Sequence, residues 1–246
     1  MVDDRPFLLL SVRPEPAAVE AEVASVRLAT ELPAERLHHL RLDLDRLATV
    51  DLDDYAGVVI GGSPFNVTTP EPQKPPVQQH VEADLVRLAE HALERDLPVL
   101  YTCYGIGVLT RVLGGTVGPE FGEAVAPVAI TLTDAGRADP LTGGLDAPFT
   151  ALVGHKEATT VLPAEAVLLA SSAGCPVQVY RAGARVYATQ FHPEVTTDDF
   201  IARATLYRDY GYFPSEELDA IATVVRGASV TAPRRMLRRF VELAGG

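Results

Sequence analysis

Pro98-Val99-Leu100-Tyr101-Thr102-Cys103-Tyr104-Gly105-Ile106-Gly107 is the stretch that decides the fold. Its apolar run stops abruptly at a cysteine. Two glycines follow, and Val108-Leu109-Thr110-Arg111-Val112-Leu113 then reads as a helix closed by Gly114-Gly115. A strand, a tight turn and a helix in this order lift the turn side chain off the sheet edge and leave no room for bulk beside it. The sulfur also sits at a helix N-terminus, where free N–H groups and the helix dipole favour a thiolate. Cys103 is therefore a candidate nucleophile. The alternative is a buried structural cysteine.

On either side of this stretch the chain supplies a sheet. Phe7-Leu8-Leu9-Leu10-Ser11-Val12 and Tyr55-Ala56-Gly57-Val58-Val59-Ile60 are continuous apolar runs. Such runs suit strands buried on both faces of a parallel sheet. Ala17 to Leu32 and Val77 to Arg95 carry helical patterns, and Leu37 to Leu44 reads as a further strand. The order β-α-β-β-α-β-α predicts a doubly wound, mostly parallel α/β sheet with Cys103 at its C-terminal edge. Gly61-Gly62-Ser63-Pro64 follows a strand at that same edge, where ligands bind in open α/β sheets. The proline-rich segment Thr68 to Pro76 reads as a stiff surface loop, either a lid or a connection.

Beyond Gly115 the pattern changes. Ala124 to Thr131, Phe149 to Val153, Ala166 to Ala170, Val177 to Arg181 and Val186 to Gln190 are short strands, a small antiparallel or mixed extension. Asp134 to Pro148 is loop-rich. Phe200 to Tyr210, Ser215 to Arg226 and Pro233 to Ala244 are helical, the last started by its proline. Residues 1–211 are expected to form one domain, with 212–246 a helical extension packed on it.

Composition narrows the function. The chain has 246 residues, 47% of them hydrophobic, a net charge of −12 and two cysteines. The acidic balance, with no basic stripe to offset it, argues against nucleic acid. The arginines 234, 235, 238 and 239 suit a solvated helix face. Two cysteines make neither a disulfide framework nor a four-ligand zinc pattern, and Cys175 is expected to be structural. The first apolar run is too short for a membrane span or signal. No metal, cofactor, membrane or nucleic-acid partner is expected, and a reducing cytoplasm fits.

A cysteine nucleophile needs a base, and the base an orienting group. Gln190-Phe191-His192-Pro193-Glu194 follows a strand, and in an extended segment His192 and Glu194 project the same way. A carboxylate on one ring nitrogen leaves the other to take the thiol proton. Taken alone, His192 also reads as an ordinary packed histidine.

The elbow Tyr101-Thr102-Cys103-Tyr104-Gly105-Ile106-Gly107, together with Gln190-Phe191-His192-Pro193-Glu194, resembles the class I glutamine amidotransferases, with the amidotransferase domain of GMP synthase and its stand-alone relatives the nearest likeness. The resemblance runs from about Phe7 to Tyr210 and includes Gly154-His155-Lys156-Glu157. It implies a flavodoxin-like class I amidotransferase fold and cleavage of glutamine's side-chain amide through a cysteine thioester, releasing ammonia. It implies Cys103 as nucleophile, His192 as base and Glu194 as orienting acid, with the N–H groups of Gly62 and Tyr104 as oxyanion hole. His155 would lie near the substrate. Gly107 stands where many members carry a substrate-holding glutamine, so a weaker grip on glutamine is expected, or, as the enzymatic alternative, a γ-glutamyl hydrolase acting on a γ-glutamyl amine or peptide. A catalytically silent binding or regulatory protein is the non-enzymatic alternative. The sequence holds no ATP-binding Ser-Gly-Gly-x-Asp-Ser loop of the family's fused synthetases, so by the resemblance the ammonia either goes to a separate synthetase or is simply released.

Overall fold

The computed structural model describes residues 3–245. Its first half alternates strands and helices: β1 (Phe7–Ser11), α1 (Pro16–Thr30), β2 (Leu37–Arg41), β3 (Gly57–Ile60), α2 (Pro76–Arg95), β4 (Val99–Thr102) and α3 (Tyr104–Val112). Then follow β5 (Thr116–Gly118), β6 (Glu123–Leu132), α4 (Asp134–Ala138), β7 (Phe149–His155), β8 (Ala158–Val161), β9 (Val167–Ser171), β10 (Val179–Ala182) and β11 (Val186–Thr189). Helices α5 (Thr197–Leu206), α6 (Leu218–Arg226) and α7 (Thr231–Ala244) complete the chain.

One nine-stranded sheet runs β2-β1-β3-β4-β11-β10-β9-β6-β7. The strands from β2 to β11 pair in parallel and the rest antiparallel. This is the doubly wound, mostly parallel sheet that the apolar runs predict. The later strands are not merely packed against it. They are hydrogen-bonded into it, because β11 pairs with β4 on one side and β10 on the other. The central strands are wholly buried, with Leu9, Leu10, Val58, Ile60, Val99 and Leu100 at 0% exposure, as a sheet covered on both faces requires.

Several boundaries differ from the sequence reading. Helix α3 begins at Tyr104 rather than Val108, because the buried turn closes around Gly105 and Gly107 despite their poor helix propensity. Leu37 to Leu44 stops pairing at Arg41, where the chain turns. The loop-rich stretch after Leu132 contains the short α4, capped by the Thr133 hydroxyl on the Gly136 N–H. The ribbon β5–β8 is too short to show a period in sequence. Helix α7 starts two residues before Pro233, which its first turn tolerates because N–H groups there need no partner within the helix. Its Met236, Leu237 and Phe240 join the same core cluster as Phe7 and Leu9 of β1. The arginine face of α7 is turned outward and paired, Arg235 with Asp146 and Arg238 with Glu31.

Candidate active site

Three neighbouring parallel strands end together and bring the site residues with them. Tyr101 of β4 lies beside Ile60 of β3, and Thr102 beside Thr189 of β11. The Thr102 hydroxyl donates to the Ile60 carbonyl at 2.7 Å, and the Cys103 N–H to the Thr189 carbonyl at 2.8 Å. The segments leaving these strands are therefore Gly61–Ser63, Cys103 and Gln190–Glu194.

Cys103 has φ 50° and ψ −102°, which is strained for a residue with a Cβ. The strain fits a turn that must present its side chain at the sheet edge. Tyr104 opens α3, so its N–H lacks a partner within the helix. Burial pushes the Cys103 thiol up, but the hydrogen bond to His192 and the nearby charges of His192, Arg13 and Arg203 outweigh it, and the net shift is downward.

His192 donates from Nδ1 to Glu194 Oε1 at 2.9 Å, which leaves Nε2 free to accept. Burial lowers the imidazole pKa, yet the Glu194 charge and Cys103 lift it above its ordinary value. Burial would raise Glu194, but His192 and Arg203 hold its carboxyl well below the usual range. Arg203 donates from Nη2 to Glu194 Oε1 at 3.1 Å. Gly62 has no room for a side chain: a Cβ there would come within 2.4 Å of His192 Cε1 and 2.8 Å of Arg13 Nη2. Glycine at this position is what lets the β3 turn approach the imidazole.

Arg13 carries no signal in the sequence. It follows β1, is 3% exposed, and donates from Nη2 to His192 Nε2 at 3.2 Å and from Nε to Glu22 Oε1 at 2.9 Å. Its contact makes Nε2 an acceptor, the tautomer that the Glu194 bond also selects. The group Glu22, His192 and Glu194 brings potential metal-ligand atoms within 4.8 Å of one another, but Arg13 already bonds both Glu22 and His192 there.

Two cavities meet at Cys103, sharing Ser63, Gly154, Gln190 and Tyr212 as walls. One lies along α3 and is lined by Tyr104, Gly107, Val117, His155 and Glu157. The other lies beside His192 and is lined by Arg13, Phe200, Arg203, Tyr207 and Phe213. His155 thus reaches the first cavity, but both its ring nitrogens are engaged, Nδ1 with the Glu157 carbonyl at 3.0 Å and Nε2 with Glu123 at 2.9 Å. Gly107 also lines it, and a Cβ there would press on Val67 Cγ2 at 3.0 Å, so a side chain needs Val67 to give by a few tenths of an ångström. None of residues 68–76 lines either cavity. That proline-rich segment is a pinned connection, with Lys74 buried against Glu71 and Glu82. Tyr207, Tyr212 and Phe213, by contrast, bring the chain's C-terminal part into the site. Tyr207 and Tyr210 donate to the two oxygens of Glu15 at 2.8 and 2.9 Å, and Lys156 lies 4.6 Å from the centre of the Tyr212 ring. Cys175 is fully buried away from this site, its thiol pushed up to about 12 by burial.

A thiol on a strained strand–helix elbow, beside an imidazole oriented by a carboxylate, is equipment for attack on a carbonyl carbon. The family comparison agrees with that class. The family model described as glutamine amidotransferase class-I matches residues 19–203, and the chain belongs to that family. A GMP synthase [glutamine-hydrolyzing] of Aeropyrum pernix is 37% identical over 191 residues, 76% of this chain and 31% of that one. One from Thermomicrobium roseum is 34% identical over 142 residues, 56% of this chain and 23% of that one. The chain thus spans no more than about a third of the curated relatives it matches. In structure it resembles a glutamine amidotransferase of Thermotoga maritima, with TM-score 0.70 and 20% identity over 97% of this chain and 99% of that one. It also resembles a Thermoplasma acidophilum protein described as a putative GMP synthase subunit, with TM-score 0.57 and 22% identity over 83% and 96%. At these identities the structural likeness shows the fold.

Proposed function

We propose that the chain hydrolyses the side-chain amide of glutamine through a γ-glutamyl thioester on Cys103. The observation that carries this reading is the 2.9 Å bond from His192 Nδ1 to Glu194, which leaves Nε2 as the ring's proton acceptor in the cavity it shares with the Cys103 thiol. His192 takes the thiol proton, and the sulfur attacks the amide carbon. The N–H groups of Tyr104 and Gly62 receive the oxyanion as it forms. His192 returns the proton to the leaving nitrogen, the carbon–nitrogen bond breaks, and ammonia departs. Water, deprotonated by His192, then attacks the thioester, releasing glutamate and the thiol. The names of the matched relatives support a separate synthetase that accepts the ammonia. Among the described residues no helix is long and apolar enough to cross a membrane.

The test is ammonia release from glutamine with and without Cys103→Ala, and mass spectrometry of the acid-quenched protein for a glutamyl adduct on the Cys103 peptide. Undiminished ammonia release by the variant would refute the assignment.

A further inference from the structure

A second group of metal-ligating side chains lies apart from Cys103, where the start of β6, the end of β7 and the turn after β9 meet. Glu123 opens β6 and pairs with His155, the last residue of β7. Cys175 lies in the turn that leaves β9. A carboxylate oxygen of Glu123, a ring nitrogen of His155 and the Cys175 sulfur all lie within 4.8 Å of one another. Around a tetrahedral zinc ion such donors stand roughly 3.3–3.8 Å apart, so small side-chain shifts suffice. Glycines allow the convergence: a Cβ on Gly174 would come within 2.8 Å of Glu123 Oε1, and one on Gly122 within 2.9 Å of the Lys156 carbonyl oxygen.

The hydrogen bonds here call for a positive partner. His155 Nδ1 donates to the Glu157 carbonyl at 3.0 Å. In the neutral ring Nε2 then carries no proton, yet it faces Glu123 Oε2 at 2.9 Å, one acceptor against another. A buried imidazolium or a metal cation resolves that contact, and an outer N–H held by a backbone carbonyl is how a metal-bound histidine is oriented. Among the described residues no lysine or arginine pairs with Glu123, in contrast to Glu22 with its Arg13. The Gln178 side chain, 0% exposed, is the second sign. Its Nε2 donates to Glu123 Oε2 at 2.6 Å and to Ser172 Oγ at 3.1 Å, while Oε1 is buried with no partner among the described residues. An orphaned buried acceptor is costly, and a turn about the last side-chain bond brings this one onto the cluster.

We propose that Glu123, His155 and Cys175 bind a zinc ion, with the Gln178 amide oxygen completing a closed structural site. A thiolate beside an imidazole selects zinc over magnesium or calcium, which take oxygen ligands. The Cys175 proton leaves to solvent as the zinc–sulfur bond forms. Buried donors suit an ion that its own ligands enclose, and the exposed Ala173 and Gly174 of the covering turn give it a way in. The ion ties three chain segments together beside His155, Lys156 and Glu157, which wall the cavity along α3.

The experiment counts bound zinc with Cys103 first blocked by iodoacetamide, so that the thiol beside His192 holds no metal. Alkylated wild type and alkylated Cys175→Ala are mixed with zinc chloride, freed of unbound metal and measured by atomic emission. A single zinc per chain is expected in wild type and its loss in Cys175→Ala. Cobalt in place of zinc should give a thiolate-to-metal absorption band in the alkylated wild type. That reading needs no variant and decides the matter should Cys175→Ala not fold. Zinc-free wild type, undiminished zinc in folded Cys175→Ala, or cobalt bound without the thiolate band overturns the inference and leaves His155 and Glu123 as a buried ion pair. None of these outcomes bears on the reaction proposed for Cys103.

Discussion

Replacing Glu22 by glutamine tests the least expected part of the site. Glu22 is 0% exposed on α1, and its carboxylate accepts from Arg13 Nε at 2.9 Å and from the Ser11 hydroxyl at 2.8 Å. The amide keeps the shape and can still accept from Ser11, but Arg13 is left as a buried charge with nothing to balance it. Arg13 cannot respond by losing its proton, since arginine stays charged in proteins. Breaking one side of a buried ion pair costs about 3–5 kcal/mol. For a chain of this size that lowers Tm by roughly 6–20 °C, at about 2–4 °C per kcal/mol. Removing both charges, as Glu22→Leu with Arg13→Met, should recover most of the loss, because the uncompensated charge and not the missing bond dominates it. The assay is thermal unfolding of the two variants and the wild type in one buffer, checked by urea midpoints. A Glu22→Gln protein melting within about 2 °C of wild type, at the same slope per kcal/mol, would refute the reasoning. So would a double variant no more stable than the single one.

Iodoacetamide should label Cys103 at pH values below the ordinary thiol range, because its net shift is downward, and leave Cys175 unlabelled until the protein unfolds; peptide mapping across pH reads both. Glu194→Gln should cut turnover by orders of magnitude at saturating glutamine, since the imidazolium loses its counter-charge. Glu194 titrates below the usual carboxyl range, so its contribution to stability is complete above that range, shrinks as pH falls from that range toward the lowered value, and is gone below it. The stability gap between wild type and Glu194→Gln should therefore be full at neutral pH, narrow progressively below the ordinary carboxyl range and close in strong acid, as melts across pH would show. Gly107→Gln should improve glutamine binding little by itself, because its Cβ would press on Val67 Cγ2 at 3.0 Å, and overpacking costs about 1–3 kcal/mol. Val67→Ala with Gly107→Gln should lower KM relative to Gly107→Gln alone; a lower KM in the single variant would show that the space is open.

Much of this protein follows from its sequence alone. Buried strands announce themselves as apolar runs, and the change from such a run to glycines and a helical period located the Cys103 elbow. His192 and Glu194 were legible as a pair, but not for the reason of an extended segment: β11 ends at Thr189, and a turn at Pro193–Glu194 brings the two side chains together at 2.9 Å. These features depend on backbone geometry within a few residues. The starts of α3 and α7 were displaced because tertiary packing outweighed local glycine and proline preferences. What only the folded chain decided are contacts between segments that no local pattern connects. Arg13 reaches His192 across 179 positions because β1 and β11 end at the same sheet edge. Val67 lies against Gly107, and Tyr212 and Phe213 wall the cavities at Cys103. A residue's own neighbours in sequence set its dihedral angles and its face of the sheet, but the crossovers that order the strands determine which charges and rings share a desolvated space.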